Sequence, residues 1–552
     1  MTEISRIDHE NAGFAHSLTG TTRREFLRRT GWTSLAVGAV AAGLGSPAHA
    51  SSGVDYLARQ TFDDWDLEFH TGHGSGQPDQ PNDDATPSGS GALSWGQSYV
   101  LSGLIRMYEA YRDPYYLDRF IDNADLVLSV RDSERGVANY LGESLPAWRA
   151  NHPYTVGTVE LADARGRPAL EIRMGRVYCD SATVTVRPAG SPGTFNLHVV
   201  HGQSGSQQTF TDLSMDESSP NYVVRRLYDA YPGTVLITGR DLRTSGDQAG
   251  APAEGEYSMS SLPGIFAVHT GMITYPMASF VRIVRASPTL RTHPRYRTKA
   301  EEYLTAVRAA VAVHDGEWRE NDLGEGYFVW LKGSPQQWDG CEQPINQTLG
   351  LGQTIAELAI ATGDETYRHR ARAMAAMFRA QLTVDAGNAY VWPYWPSFGH
   401  VYQGYEKTGS PVTDVSVYNP NLRSPGTQLE DISHAAISVD FAVRAFRGGL
   451  GLNGVHMARL TRTFTQNVAT TSNGAATAWT RVDGTGGPSA AYAHQAPRWA
   501  PIAPWDSEVH RHALAIYDNY QPTPDEIVAE RNGFGWLLGN VAHLQRFAQR
   551  RD

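Results

Sequence analysis

The segment GLIRMYEAYRDPYYLDRFIDNADLVLSV, residues 103–130, joins two apolar helical runs through a short acidic and proline break that is followed by aromatic residues. The same arrangement recurs in TIAELAIATGDETYRHRARAMAAMFRAQL at 354–382, and looser copies occupy 280–311 and 439–468. A helical hairpin of this kind cannot bury its apolar stripe alone, so repeated hairpins pack side by side. The repeats predict a mainly α protein in which roughly five to six hairpins form an incomplete or closed (α/α) ring around a central pit.

The hydrophobic periodicity changes between the first hairpin and the later ones. Residues from about 154 to 242 contain short alternating runs rich in β-branched side chains, separated by Gly, Pro and Ser. This pattern is typical of strands. We expect a β-rich inserted domain over 151–262, with the two parts of the helical ring at 51–150 and 263–552. A structural buttress is its favoured role, and sugar binding is the alternative.

The first fifty residues have the pattern of an export signal. Arg23 and Arg24 precede an apolar stretch, and the segment ends in the small-residue sequence AHA at 48–50. These features predict a twin-arginine signal peptide over 1–50 with an A-x-A-like cleavage site. The apolar stretch is shorter than the roughly 20 residues that cross a bilayer, so a membrane anchor is the less favoured alternative. We therefore expect a secreted protein without membrane insertion.

Composition and short motifs exclude several other classes. The 552 residues carry a net charge of −11 with no acidic or basic block, which disfavours a nucleic-acid partner. The two cysteines, Cys179 and Cys341, cannot form a disulfide framework, and two isolated buried thiols are favoured over one bridge. There is no P-loop and no dinucleotide-binding glycine motif, so we expect no nucleotide cofactor. The spacing of the histidines offers no convincing ligand set, so we expect no metal.

Long loops indicate where function lies on the helical frame. The segments 316–341, 388–427 and 473–505 are rich in Gly, Trp and Pro, and each precedes the first helix of a hairpin. Loops of this length in a compact domain usually carry function. Because they enter equivalent helices, we expect them to gather at one end of the ring and to form the active-site face there.

The strongest catalytic candidates stand at one of these loop-to-helix entries. Glu430 and Asp431 are followed by His434. Glu430 and His434 have the i, i+4 spacing of one helix face, so the carboxylate would fix the imidazole tautomer and raise its basicity. Such a pair suits proton abstraction or donation, and a structural ion pair at a helix start is the alternative. Tyr327 and Tyr394 in the long loops are further catalytic candidates.

Other residues at the helix entries are expected to bind substrate. Asn346 could donate hydrogen bonds to an oxyanion or a substrate carboxylate, with helix capping as an equal alternative. Flat aromatic faces cover the apolar face of a sugar ring, although they are also ordinary core material. The remaining candidates are Trp95, Gln97, His269, Glu342, Trp392 and Trp505.

Three sequence phrases resemble secreted (α/α) toroid carbohydrate enzymes: the phrase at 361–367, EQPINQ at 342–347 and EDISHA at 430–435. The nearest similarity is to uronate-acting polysaccharide lyases and to the C-terminal domain of D-glucuronyl C5-epimerases, over roughly 92–128 and 263–550. In those enzymes a histidine or tyrosine removes the C5 proton of a uronate. His434 matches that histidine by its context, and Tyr327, Tyr394 and Tyr402 are candidates for the tyrosine.

The resemblance implies a polysaccharide lyase that cleaves an acidic poly- or oligosaccharide by β-elimination. A glycoside hydrolase is the first alternative, and it would need two carboxylates across the scissile bond, such as Glu342 with Asp431. A uronate C5-epimerase would use the same proton abstraction. A non-catalytic glycan-binding surface protein is the remaining alternative.

Overall fold

Helices make up about half of the part of the chain that the computed structural model describes, which is residues 53–73, 91–244, 250–522 and 533–549. Several small antiparallel sheets account for the strands. Contacts divide the chain into one unit of Met1–Asp55 and a second of Tyr56–Asp552, to which all elements below belong. The predicted signal peptide over 1–50 lies outside the described residues. Among those residues, no helix is both long enough and apolar enough to cross a membrane.

The helices of eight or more residues are α1 Arg59–His73, α2 Ser98–Tyr111, α3 Pro114–Ser129, α4 Val223–Ala230, α5 Ala267–Ala286, α6 Pro294–Ala312, α7 Ile345–Thr362, α8 Glu365–Gln381, α9 Ile432–Arg447, α10 Gly454–Arg462, α11 Glu508–Tyr520 and α12 Gly533–Ala548. Short α-helices cover Asp132–Arg135, Pro288–Thr292, His400–Gln403 and Ala490–Ala493. A 3₁₀ helix covers Ala496–Ile502, and single π turns cover Leu93–Gln97 and Thr463–Val468.

The helical hairpins that the repeats predict are present, and their sequence breaks explain their ends. Helix α2 ends at Arg112, which takes the left-handed conformation with φ of 57°. Asp113 then caps α3 by accepting a hydrogen bond from the Tyr115 N–H, and proline occupies the first turn. The second copy repeats this design, with Gly363 at φ of 70° after α7 and the Asp364 side chain capping α8.

The first helices of successive hairpins contact one another in order. Helix α5 packs against α2 and α7, α7 packs against α9, and α9 packs against the 3₁₀ helix, which contacts α12. Helix α12 in turn packs against α2, so the succession of contacts returns to its first member. The remaining long helices lie outside this series: α3 on α2, α6 on α5, α8 on α7, α10 on α9, α11 on the 3₁₀ helix and α12, and α1 on α12.

Small residues allow the closest of these contacts. A Cβ atom added at Gly271 in α5 would lie 2.3 Å from the Gly350 carbonyl oxygen in α7. Since that distance is far inside van der Waals contact, only glycine permits the two helix backbones to approach this closely.

Helix α1 precedes the first predicted hairpin and was not predicted from the repeats. The helix forms over Arg59–His73 because Phe62, Trp65 and Phe69 are buried along one of its faces. This apolar spacing supplies the helical period, and α1 packs against α12.

The β-rich region consists of two four-stranded antiparallel sheets. The strands are β2 Gly157–Ala162, β3 Pro168–Met174, β4 Ala182–Pro188, β5 Thr194–His201, β6 Ser206–Ser214, β7 Ile237–Asp241, β8 Gly255–Ser258 and β9 Ser260–Ser261. The strand orders of the two sheets are β7-β3-β2-β9 and β6-β5-β4-β8. Alternate side chains of both sheets, such as Leu170, Ile172, Val184 and Leu197, meet in one apolar core. The strands coincide with the alternating runs of the sequence, and the boundaries of an inserted domain at 151–262 stay a prediction.

Four further strand pairs lie near the helix entries. Strand β1 Arg149–Ala150 pairs with β10 Gly264–Ile265 beside the start of α5. The long loop 316–341 contains the antiparallel pair β11 Trp318–Glu320 with β12 Gly326–Phe328. The other two loops each contain the second strand of a pair whose first strand directly precedes the loop: β13 Thr383–Val384 with β14 Tyr390–Val391, and β15 Ala469–Ser472 with β16 Ala475–Ala478. The loops are therefore locally braced.

A junction through Asn419 connects the β-rich region to the loop over 388–427. The Asn419 amide donates to the Gly175 carbonyl at 2.8 Å and also to the Gln337 carbonyl, and Asn419 accepts from the Tyr231 hydroxyl. The Thr238 hydroxyl of β7 donates to the Val417 carbonyl at 2.9 Å. Because these groups are buried or partly buried, the bonds fix the end of the loop against the sheet.

The two cysteines are free buried thiols, as favoured from the sequence. Burial raises the pKa of the Cys179 and Cys341 thiols above the ordinary value, which makes both thiols unreactive.

Candidate functional site

The entries of α7 and α9 lie side by side because a loop segment is held between them. The Tyr394 N–H donates to the Gln428 carbonyl and the Glu430 N–H donates to the Trp392 carbonyl, each at 3.0 Å. The Ile345 N–H at the start of α7 donates to the Tyr394 carbonyl at 3.0 Å. These backbone bonds place Tyr394 beside the first turn of each helix.

Asp431 and His434 form a direct carboxylate–imidazole pair at the start of α9. Asp431 is the N-cap, and its Oδ1 accepts from the Ser433 N–H at 2.9 Å and the His434 N–H at 3.1 Å. Its Oδ2 lies 2.5 Å from His434 Nδ1. The His434 side chain is 25% exposed, so the rest of the ring remains accessible.

The i, i+4 helix face predicted for Glu430 and His434 is not formed, and a role of Glu430 at His434 stays a prediction. Helix α9 begins at Ile432, so Glu430 precedes the helix and the i, i+4 face does not exist there. Asp431 instead bonds His434 three residues on, as a capping side chain does in a first turn.

Asp431 stays ionised over the whole physiological pH range. Burial alone would raise the pKa of its carboxyl, but the charge of His434 and the hydrogen bonds from His434 and Ser433 lower that pKa to about 2. An ionised carboxylate at Nδ1 favours the tautomer that carries its proton on Nδ1. His434 Nε2 is then the atom that can accept a proton.

Glu430 is engaged with another predicted site residue. Asn346 Nδ2 donates to Glu430 Oε1 at 3.3 Å and to Oε2 at 3.4 Å. Both side chains are buried. The Asn346 amide therefore contacts the Glu430 carboxylate, and its role in binding substrate stays a prediction.

Tyr394 completes the cluster at the entry of α9. Its ring meets the His434 ring edge to face, with centroids 5.5 Å apart. Both side chains are partly buried, so each ring keeps some exposed surface. We call Glu430, Asp431, His434 and Tyr394 the entry cluster.

Three members of the entry cluster also have the spacing of metal ligands. One ligand atom each from Glu430, Asp431 and His434 lies within 4.8 Å of the others. Carboxylate oxygens and an imidazole nitrogen are ligands of divalent cations, so these residues could hold one. The absence of a metal, expected from the sequence, stays a prediction.

Glu342 and Tyr327 belong to a neighbouring group. Glu342 Oε2 accepts from the His400 N–H at 2.8 Å and lies 3.0 Å from His400 Nδ1. Burial raises the pKa of Glu342, but the His400 bonds outweigh it and lower the pKa below the ordinary value. Tyr327 packs on Phe398 with ring centroids 4.9 Å apart, and burial together with the Glu342 charge raises its pKa. A carboxylate, an imidazole and a phenol therefore meet here.

Trp95 and His269, both predicted to bind substrate, contact each other in a group of aromatic rings that we call the aromatic wall, and their role in binding stays a prediction. Trp95 Nε1 donates to His269 Nε2 at 3.0 Å, and the ring centroids of Tyr154 and Phe266 each lie 4.8 Å from that of His269. Burial lowers the pKa of His269 to about 3, so its ring is neutral. Apolar contacts link this wall to Ile437, one turn beyond His434 in α9.

Three predicted binding residues lie elsewhere. The Gln97 amide is buried and donates to Asn123 Oδ1 at 2.9 Å, because it faces α3. Trp392 is fully buried and packs edge to face with Phe378, so it belongs to the core. Trp505 packs on Phe446 near the far end of α9. That end is about 18 Å along the helix from His434 at 1.5 Å per residue, so Trp505 cannot share the site.

Comparison with known proteins identifies no family. No protein-family model matches the sequence, and no curated protein matches it. Among solved structures, a family 76 glycoside hydrolase from a bovine Bacteroides thetaiotaomicron strain is similar at 10% identity and a TM-score of 0.26. The match covers 69% of this chain and 95% of that chain. A TM-score of this size does not show a shared fold, so no conclusion below rests on this likeness.

Two residues that lie at the helix entries, His400 and Arg498, were not predicted from the sequence. His400 reaches Glu342 from a position 58 residues away in a loop. Arg498, in the 3₁₀ helix, lies over the Tyr99 ring at 5.2 Å from its centroid, and Tyr99 packs on the aromatic wall. Only the fold brings these residues to the helix entries. An arginine within an apolar run, as Arg498 is, could nevertheless have been singled out from the sequence as a candidate functional residue.

Proposed function

We propose that this chain is a carbohydrate-active enzyme in which His434 is the catalytic base. The supporting observation is the pair of Asp431 and His434, in which an ionised carboxylate holds Nδ1 and leaves Nε2 accessible. Histidine held in this way is suited to proton transfer near neutral pH. The aromatic wall of Trp95 and Tyr154 offers flat apolar faces for sugar rings at the same helix entries.

The reaction that suits these groups best is β-elimination at a uronate. His434 Nε2 takes the C5 proton, the electron pair forms a double bond between C4 and C5, and the bond from C4 to the glycosidic oxygen breaks. The Tyr394 hydroxyl, beside His434, is placed to protonate the departing oxygen. Arg498 supplies a cation for the uronate carboxylate. The substrate class is therefore an acidic poly- or oligosaccharide.

We also propose the (α/α) toroid as the arrangement of the helical hairpins, because the series of helix contacts returns from α12 to α2. Export through the twin-arginine pathway is proposed from the Arg23 and Arg24 pair and the small-residue end of the first fifty residues. A secreted enzyme would meet a polymeric glycan directly.

Hydrolysis is the second candidate, favoured by the approach of the Glu430 and Asp431 carboxylates. Their oxygens lie within 4.8 Å, near the roughly 5 Å separation of a retaining glycosidase. Such an enzyme also needs a carboxylic acid whose pKa is raised. The pKa values of Asp431 and Glu342 are both lowered, so the sequence-based pair of Glu342 and Asp431 lacks the acid.

The test is a product analysis of the full chain on a panel of uronate-containing polymers. β-Elimination produces unsaturated ends that absorb in the near ultraviolet, whereas hydrolysis releases reducing ends without that absorbance. Epimerisation exchanges the C5 hydrogen with solvent deuterium and cleaves nothing. Glycan binding without any of these products would support a non-catalytic protein.

Replacing His434 with Ala tests the base itself. The loss of a general base lowers turnover by about 10²–10⁴-fold, and the fold should remain. His369→Ala is the matched control, since His369 is 64% exposed on α8 and pairs with Glu320. Near-full activity of the His434→Ala protein would refute the mechanism.

A further inference from the structure

A small charged cleft, with a cavity volume of about 30 Å³, lies between the ends of the helices opposite the entry cluster and is separate from that cluster. Helices α2, α5, α9 and α12 each contribute residues to its lining. On α9 the cleft is lined by Arg444 and Arg447, which lie ten to thirteen residues beyond His434. That separation is about 15–20 Å along the helix. The cleft is therefore independent of the proposed active site.

Positive charge exceeds negative charge in this cleft. Five arginines line it: Arg106, Arg282, Arg444, Arg447 and Arg546. The carboxylates that pair with them are Glu109, Asp440 and Glu357. Two positive charges thus lack a matching negative charge among the described residues, in a part-buried setting where charge repulsion is weakly screened.

The distribution of the pairs shows where the excess lies. Arg282 bonds Glu357 at 2.6 Å and Glu109 at 3.2 Å, and Arg546 shares Glu109 at 3.2 Å. Arg444 bonds Asp440 at 3.2 Å and also Glu357. Arg447 lies exposed at the mouth of the cleft and makes no ion pair with any described residue.

Two buried hydrogen-bond donors at this cleft have no partner among the described residues. The Ser279 side chain is 1% exposed and lines the cleft, and its hydroxyl has no hydrogen-bond partner among the described residues. The buried Nε of Arg444 also has no partner there. A buried polar group without a partner costs about 1–3 kcal/mol, so a ligand that accepts from both groups would gain affinity from them.

We propose that this cleft binds a small, doubly charged oxyanion of the phosphate or sulfate class. Guanidinium groups donate paired N–H bonds to such oxygens, and a serine hydroxyl adds a further donor. The ligand balances the two excess charges and joins Arg546 of α12 to Arg444 and Arg447 of α9. Its effect is to tie the last helix of the series to its neighbours, with no role in the chemistry at His434.

The test compares thermal unfolding of the full chain in sodium sulfate, sodium phosphate and sodium chloride at equal ionic strength. We expect a saturable rise of the melting temperature with sulfate and phosphate and none with chloride. Sulfate keeps its double charge across neutral pH while phosphate gains a proton on the acid side, so the pH dependence distinguishes which dianion is preferred. An equal response to all three salts would overturn the proposal.

Two substitutions assign the effect to this cleft. Arg447→Gln should raise the dissociation constant for sulfate, measured by titration calorimetry, about tenfold or more, because it deletes a charged donor. Without anion the same variant should be as stable as the wild type or more so, since it relieves repulsion. Ser279→Ala should also weaken sulfate binding, whereas Arg372→Gln on the exposed face of α8 should not. Unchanged sulfate affinity in both cleft variants would refute the site.

Discussion

Asp431→Asn is the sharpest perturbation of the entry cluster because it keeps size and capping ability while removing one charge. Asparagine still caps a helix, so the bonds to the Ser433 and His434 N–H groups survive. Its amide can donate to His434 Nδ1, which forces the ring proton onto Nε2, where the base must be free. We expect turnover to fall by about 10²–10⁴-fold, the usual contribution of a general base.

The pKa of Asp431 sets the size of the accompanying stability effect. The shift from 3.8 to about 2 corresponds to roughly 2 kcal/mol, since one pKa unit is about 1.4 kcal/mol. A depressed folded-state pKa contributes stability above the unfolded pKa, and that stability is lost as the pH falls through the folded value. The difference in unfolding free energy between wild type and Asp431→Asn should therefore be present above about pH 4 and shrink toward pH 2.

Chemical unfolding across this pH range and steady-state kinetics on the best uronate polymer measure the two effects. Asp364→Asn is the matched control, because Asp364 caps α8 through the Thr366 N–H and has no histidine partner in that role. It should leave turnover unchanged. Full turnover of Asp431→Asn, or a stability loss with the same pH profile in both variants, would refute the role of Asp431 at His434.

Four further outcomes are expected. Trp392→Ala should lower the unfolding free energy by about 3–5 kcal/mol, as a core deletion does, and a soluble, stable variant with weaker substrate binding would restore Trp392 as a binding residue. Trp95→Phe removes the bond to His269 and should cost about 1 kcal/mol in denaturant unfolding. The pKa of His269 is lowered in the folded state, so its contribution to stability is full above about pH 6.5 and is lost as the pH falls toward 3. Replacing His269 with a residue that does not titrate should therefore reduce the loss of unfolding free energy between about pH 6.5 and 3. Treatment with a chelator should leave turnover unchanged, because His434 Nδ1 already bonds Asp431, and loss of activity restored by a divalent cation would instead assign the entry cluster to a metal.

The repeated hairpins could be predicted from the sequence because their ends are encoded locally. Asp113 and Asp364 cap their helices through bonds within two residues, and proline or a left-handed residue stops the preceding helix. Helix α1 was not predicted over its full length. Its buried face, which includes Phe62, is followed by a run rich in Gly, Pro and Ser that suggested a loop.

The residues of the entry cluster could be singled out from the sequence, but the contacts among them could not. EDISHA offers two adjacent acids, and only the backbone decides that Asp431 is the cap and that Glu430 faces Asn346. The sequence does not show whether a tryptophan lies in the core or in a cleft, so the different positions of Trp392 and Trp95 could not be predicted. Long-range partners such as His400 depend on how a loop folds back, which no local pattern encodes.

Because of the junction at Asn419, the conformation of the loop that contains Tyr394 depends on the β-rich region. One asparagine side chain bonds Gly175 on the sheet side and Gln337 on the helix-entry side, while the loop that contains it also contains Tyr394. A loop of another length would lose the hydrogen bonds of Asn419. A different sheet would remove the surface on which the loop packs. Changes of specificity can therefore accumulate in residues of the sheets that never touch a substrate, and grafting this loop into another scaffold requires carrying the sheets with it.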